Sequence, residues 1–143
     1  MRQKLPTINS EFYLTKNAYL ATYYFAHQYP EWMAELRKAP DSGSGIDYSK
    51  ERVQTSSQYD ATAELAMRRH ELRKKAELIE DTARIIAPDF YRWLLKGATE
   101  ETTYQDMKQA AGNAFPSWLT QWTYYRTRRK YYYELAGRLG YRL

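Results

Sequence analysis

The chain contains no cysteine. Disulfide cross-links and thiolate metal sites are thereby excluded, and the composition suits a reducing cytoplasm. Histidine is scarce as well. His27 and His70 stand far apart with no ligand spacing around either, so both read as satisfied or solvated side chains and no metal site is expected. Long hydrophobic runs are missing. The longest nearly apolar stretch, AYLATYYFA, falls well below the roughly 20 residues that cross a bilayer. The opening MRQKLPTINSEFY lacks the apolar region of a signal peptide. Alternating apolar runs are also absent, and six glycines give little punctuation for hairpins. No nucleophile–base pair, metal-ligand cluster or phosphate-binding glycine loop is present. Glu100, Glu101 and Asp106 lie near a helix start, where carboxylates suit the helix dipole. The expectation is an all-α, cytoplasmic, non-enzymatic protein without a cofactor and away from membranes.

What is present is tyrosine and unevenly placed charge. Fifteen of the 143 residues are tyrosine, and the length suits one domain with a moderate core. The net charge is +5. Residues 1–117 carry 16 cations and 16 anions, whereas residues 118–143 carry six cations and the single anion Glu134. All of the excess therefore sits at one end, where it would attract a polyanion.

Three regions follow from the local pattern. Residues 1–39 form a Tyr-rich helical segment, with Asn9 or Ser10 as a helix cap. Pro30 either kinks that helix or opens a second one at PEWMAELRKA. Residues 40–60, PDSGSGIDYSKERVQTSSQYD, are dense in Pro, Gly, Ser and Thr and read as a flexible linker. Residues 61–143 begin with a long helix over 61–87, capped by Asp60. Leu65, Leu72, Ile79 and Ile86 recur there every seven residues, with Ala76 and Ala83 between them. Arg69 interrupts that seam. The seam can pair within the chain, giving a monomer, or with a second copy, giving an antiparallel homodimer. Pro88 then opens PDFYRWLLKG, with Gly97 placed to end it. TTYQDMKQA, the turn AGNAF and a basic helix over 117–139 complete the order of a helix-turn-helix.

On that last helix, Trp118, Trp122, Tyr125, Tyr132, Ala136 and Leu139 share a stripe and are expected to face the core. Thr120, Gln121, Tyr124, Thr127, Arg128 and Tyr131 then face outward, and Arg126, Lys130 and Tyr133 lie along the flank. Thr120, Gln121 and Tyr124 at the N-terminal end are the expected base readers, and Arg126, Arg128, Arg129 and Lys130 the expected phosphate contacts. Such a face suits nucleic acid: Arg forks onto guanine, Gln pairs with adenine, and Lys, Thr and Tyr bind phosphate. Tyr beside Arg can also stack on unpaired bases, so single strands and RNA stay open.

TYYRTRRKYYYEL resembles the C-terminal signature of RinA/ArpU-type late transcription activators of Firmicutes phages and mobile elements, whose C-terminal domain is similar to sigma-70 region 4. The matching positions are Tyr124, Tyr125, Arg126, Arg128, Arg129, Lys130 and Tyr131. KNAYLATYYFAHQYPEWMAEL resembles the Tyr-rich first helix of such proteins, and DYSKERVQTSSQYDATAELA their linker. The resemblance implies a regulator that binds double-stranded DNA and contacts RNA polymerase. A small terminase-like packaging or assembly subunit and a non-catalytic protein adaptor are the alternatives.

Overall fold

A computed structural model describes residues 11–38 and 55–142, with side chains from residue 61 onward in the second stretch. The regular structure of the described residues is entirely helical, and they contain no strand. Six α-helices follow in order: α1 (Lys16–His27), α2 (Tyr29–Arg37), α3 (Thr55–Ile86), α4 (Tyr91–Glu100), α5 (Tyr104–Ala111) and α6 (Gln121–Leu139). A short 3-10 turn, Gly112–Ala114, follows α5. No helix among the described residues is long and apolar enough to cross a membrane.

Threonine starts three of these helices. Thr15, Thr103 and Thr120 each turn a hydroxyl oxygen onto the backbone N–H three residues on, satisfying a donor that the first turn cannot pair. The expected caps Asn9 and Ser10 lie outside the described residues. Pro30 sits in the first turn of α2, where its missing N–H costs nothing. The expected linker falls mostly on residues 39–54, outside the described residues. Its last six positions are helical, because α3 begins at Thr55 rather than at 61. Asp60 therefore lies inside the helix and not at its N-terminal cap position.

The described chain divides into two compact units, Met1–Pro30 with Leu78–Leu143, and Glu31–Glu77. In the smaller unit Trp32, Leu72 and Ala76 are buried, and the Lys75 ammonium lies over the Trp32 ring at 5.7 Å. Arg69 has a clear purpose there. Its guanidinium donates to the carbonyls of Leu36 at 3.0 Å and of Glu35 and Lys38 at 3.4 Å. Those carbonyls lie at the C-terminal end of α2, where a cation is favoured by the dipole and by unpaired acceptors. The interruption in the seam is thus a cap for another helix. Of the other seam residues, Leu72, Ala76, Ile79 and Ala83 are buried, whereas Leu65 and Ile86 are half-buried.

In the larger unit α6 is the central element, packed against α1, α4 and α5. The buried aliphatic contribution is small: Leu14, Leu94, Leu119, Leu135, Ile79 and several alanines. Tyrosines, with Phe12, Met107 and Phe115, fill much of the remainder. Buried phenols need acceptors, and here the acceptors are backbone carbonyls. Tyr131 donates to Ile79 O at 3.0 Å, Tyr132 to Ala98 O at 2.5 Å, Tyr124 to Thr102 O at 2.8 Å and Tyr104 to Leu119 O at 2.6 Å.

Gly97 does not end α4, as its position in the sequence suggests. It lies inside the helix, which runs on to Glu100. Glu101 follows with φ 53°, the left-handed conformation of a helix stop. Gly97 is required for proximity instead: a Cβ there would lie 1.7 Å from the Tyr124 hydroxyl oxygen.

Two outcomes follow for stability. Gly97→Ala should lower it by about 1–3 kcal/mol through overpacking against Tyr124, and Tyr131→Phe by a similar amount, because Ile79 O loses its partner; denaturant melts measure both. Burial pushes the hydroxyl of Tyr124 up to about 12, against the lowering effect of Arg128, and raises Tyr131 and Tyr132 as well. The folded chain thus holds protons that the unfolded chain releases near its ordinary tyrosine value of about 10. Stability should be complete below that pH and fall as pH rises above it. A spectrophotometric alkaline titration should show a class of tyrosines ionising only as helicity is lost.

Candidate nucleic-acid interface

The helix α6 begins at Gln121, not at Ser117. The Thr120 hydroxyl accepts the Thr123 N–H at 3.1 Å and donates to the Thr123 hydroxyl at 2.9 Å. Leu119 N–H bonds to Pro116 O in the turn before it. Trp118 is consequently not on the helix at all, and the stripe counted from it loses its anchor.

The faces of α6 are rotated from the sequence expectation. Tyr124 and Tyr131 are fully buried and Arg128 is 4% exposed. Trp118 and Trp122, expected in the core, are 56% and 69% exposed. The buried set is Tyr124, Arg128, Tyr131, Tyr132, Leu135 and Ala136, so only Tyr132 and Ala136 belong to both stripes. The physical reason is that this core is chosen by acceptor supply as well as by hydrophobicity. Tyr124, Arg128 and Tyr132 face the C-terminal end of α4, where carbonyls have no partners within the helix. A tryptophan offers one donor and too much ring for that place, whereas a phenol and a guanidinium reach the oxygens.

Arg128 shows this most clearly. Its Nη1 donates to Thr102 O at 3.2 Å and to Gly97 O at 3.4 Å. Its guanidinium lies over the rings of Tyr125 at 4.9 Å and Tyr124 at 5.5 Å. A cation sits at the negative end of α4, flanked by aromatic faces, and both arrangements favour it. Tyr125 completes the layer: its hydroxyl accepts the Tyr104 N–H at 3.0 Å, at the start of α5.

Three of the nine candidate contact residues, Tyr124, Arg128 and Tyr131, therefore belong to the core. Thr120 and Gln121 are exposed at the leading end of α6, and Arg126, Thr127, Arg129 and Lys130 are half-buried along it. Arg126 is already engaged. It pairs with Glu11 at 2.8 Å and lies over Phe12 at 5.2 Å and Trp122 at 5.6 Å. Arg142 is likewise turned inward, stacking on Tyr133 at 4.0 Å and donating to its hydroxyl at 3.1 Å. Lys130 lines a shallow cleft of about 260 Å³ with Glu134, Arg138, Thr82, Ile85 and Ile86. Arg129, Lys130 and Arg138 are then the cations of this segment most free to meet an anion.

The exposed leading end keeps Thr120 and Gln121, which the sequence pattern also puts at the base-reading end of the helix, and adds Trp118 and Trp122. Helical spacing with Tyr125, Tyr132, Ala136 and Leu139 is what points Trp118 and Trp122 to the core. The signal that could have separated them is the run Tyr124, Arg128, Tyr131, Leu135, spaced by four, three and four, which is itself a helical stripe.

Compared with protein-family models, curated proteins and solved structures, the chain has no match in any of the three.

The exchange of faces gives a direct test. Trp122→Ala should change stability by no more than about 0.5 kcal/mol, as an exposed substitution does. Arg128→Ala should lower it by about 2–4 kcal/mol, removing the donor to Gly97 O and one of the two donors to Thr102 O and leaving a gap beside two tyrosines. Thermal melts of the two variants decide the matter, and equal effects would contradict the assignment.

Proposed function

We propose that the chain is a DNA-binding transcription regulator of phage or mobile-element type, as its resemblance to RinA/ArpU-type activators suggests. In this reading α5, the turn and α6 act as the helix-turn-helix, similar to sigma-70 region 4, and RNA polymerase is the protein partner. DNA is met by the leading end of α6 rather than along its length. Recognition helices place their N-terminal residues at base edges, and Gln121 is the side chain there that can pair with adenine. Thr120 suits a phosphate oxygen, and Arg129 and Lys130 supply charge from the flank.

One observation carries the reading: the whole net charge of +5 is confined to residues 118–143, the segment that also presents exposed Thr120 and Gln121. The burial of Arg128 and the engagement of Arg126 and Arg142 reduce the number of available cations. Binding should accordingly be weaker and less salt-dependent than six cations suggest. With about three phosphates neutralised, the log–log salt slope of duplex affinity should be about −2.7. Electrophoretic shifts of random duplex across a salt series measure it. Gln121→Ala should relax sequence preference without altering that slope, and absence of duplex binding at low salt would defeat the reading.

A further inference from the structure

Two tryptophans stand in solvent on either side of the Thr120 cap. Trp118 is 56% exposed and Trp122 69% exposed, whereas Trp32 is buried. Large exposed aromatic faces usually mark a contact surface. Trp122 is held in place. The Arg126 guanidinium lies over its ring at 5.6 Å, Phe12 meets the same guanidinium at 5.2 Å, and Glu11 fixes it at 2.8 Å. Trp118 is met edge-on by Phe90 at 5.7 Å. An indole supported by a cation and still mostly in solvent is a stacking surface prepared in advance, which lowers the entropic cost of using it.

We propose that Trp122, backed by Arg126 and accompanied by Trp118, stacks on unpaired bases of single-stranded nucleic acid. The proposal rests on the nucleic-acid reading above and deepens it, adding a melted or single-stranded stretch to the target. Three features select this occupant. An indole has one donor and no acceptor, so it cannot fork onto a base edge in a groove; its useful surface is its face. Every base presents a matching face, whatever the sequence. The same segment carries the entire excess positive charge of the chain, which draws a polyanion toward those faces in preference to a neutral apolar partner. The burial of Tyr124 and Tyr131 points the same way, since the stacking role that their sequence suggests is left to the tryptophans.

The full chain is titrated into a short labelled oligothymidylate at low salt, and in parallel into a labelled hairpin duplex, both followed by anisotropy. The oligothymidylate should bind, and Trp122→Ala should weaken it about tenfold, the effect of losing one stacked base. Trp122→Phe should retain most of the affinity. Circular dichroism and melting of the variants should match the parent, because the ring is exposed. Duplex binding with no binding of the oligothymidylate, or oligothymidylate affinity unaffected by Trp122→Ala, would overturn the stacking site and leave the regulator reading intact. Failure to bind either probe would overturn both. A concentration-dependent doubling of mass without nucleic acid, abolished by Trp122→Ala, would assign the patch to a second copy of the chain and overturn the proposal.

Discussion

The unpaired carbonyls at the C-terminal end of α4 organise the larger unit. A helix end that is buried must find donors for its last carbonyls, and here they arrive from one neighbouring helix. Arg128 reaches Gly97 O and Thr102 O, Tyr132 reaches Ala98 O, and Tyr124 reaches Thr102 O. Each of these side chains brings ring or alkyl surface to fill the core and a polar tip to close a hydrogen bond. The fold can therefore be built with few large aliphatic residues. The same requirement explains Gly97: only a residue without a Cβ lets the Tyr124 ring approach α4 closely enough to reach Thr102 O.

This arrangement changes what the concentrated charge of the C-terminal segment means. Net charge on a sequence is read as external potential, but a cation at a helix end is partly neutralised by the dipole it faces. Arg128 at α4 and Arg69 at α2 both work in this way. Arg126 and Arg142 are drawn toward aromatic faces, Arg126 with a carboxylate in addition. Four of the nine phenols and cations of YYRTRRKYYYEL, namely Tyr124, Arg128, Tyr131 and Tyr132, thus serve as internal donors to backbone oxygen, and the charge the segment shows to solvent comes from fewer residues than its sequence suggests.

The helical class, the long α3, the break near Pro30 and the seam of α3 were legible because each depends on local rules: helical period, proline chemistry and a heptad of Leu, Ile and Ala. The orientation of α6 was not. Hydrophobic periodicity ranks Trp118 and Trp122 above Tyr124 and Arg128 for burial, and it has no place for the value of a donor set opposite a helix terminus. Where that donor set belongs depends on α4, some 30 residues earlier, so no window along α6 contains the information. The limits of α3 and α4 failed for a simpler reason. Asp60 and Gly97 are residue types that often end helices, but Asp60 sits past the true start and Gly97 serves proximity. Glu101, with no such preference, takes the left-handed stop.

The exposed end of α6 becomes intelligible from the same constraint. A helix whose middle is largely committed to its neighbours offers a partner its leading end, the turn before it and the few cations on its open flank, Arg129 and Lys130 among them. The C-terminal end is closed by Gly140, whose N–H returns to Gly137 O, and by Tyr141 N–H on Ala136 O. Its N-terminal end keeps Thr120, Gln121 and Trp122 in solvent, with Trp118 just before the cap. Under the proposed function, nucleic acid would be met by a helix end and its flanking rings. The specificity of that contact would come from one amide side chain and its strength from stacking and a few phosphates. Burying Tyr124, Arg128 and Tyr131 fixes the direction of that end within the larger unit, so the candidate contacts that turned out to be core are the ones that position it.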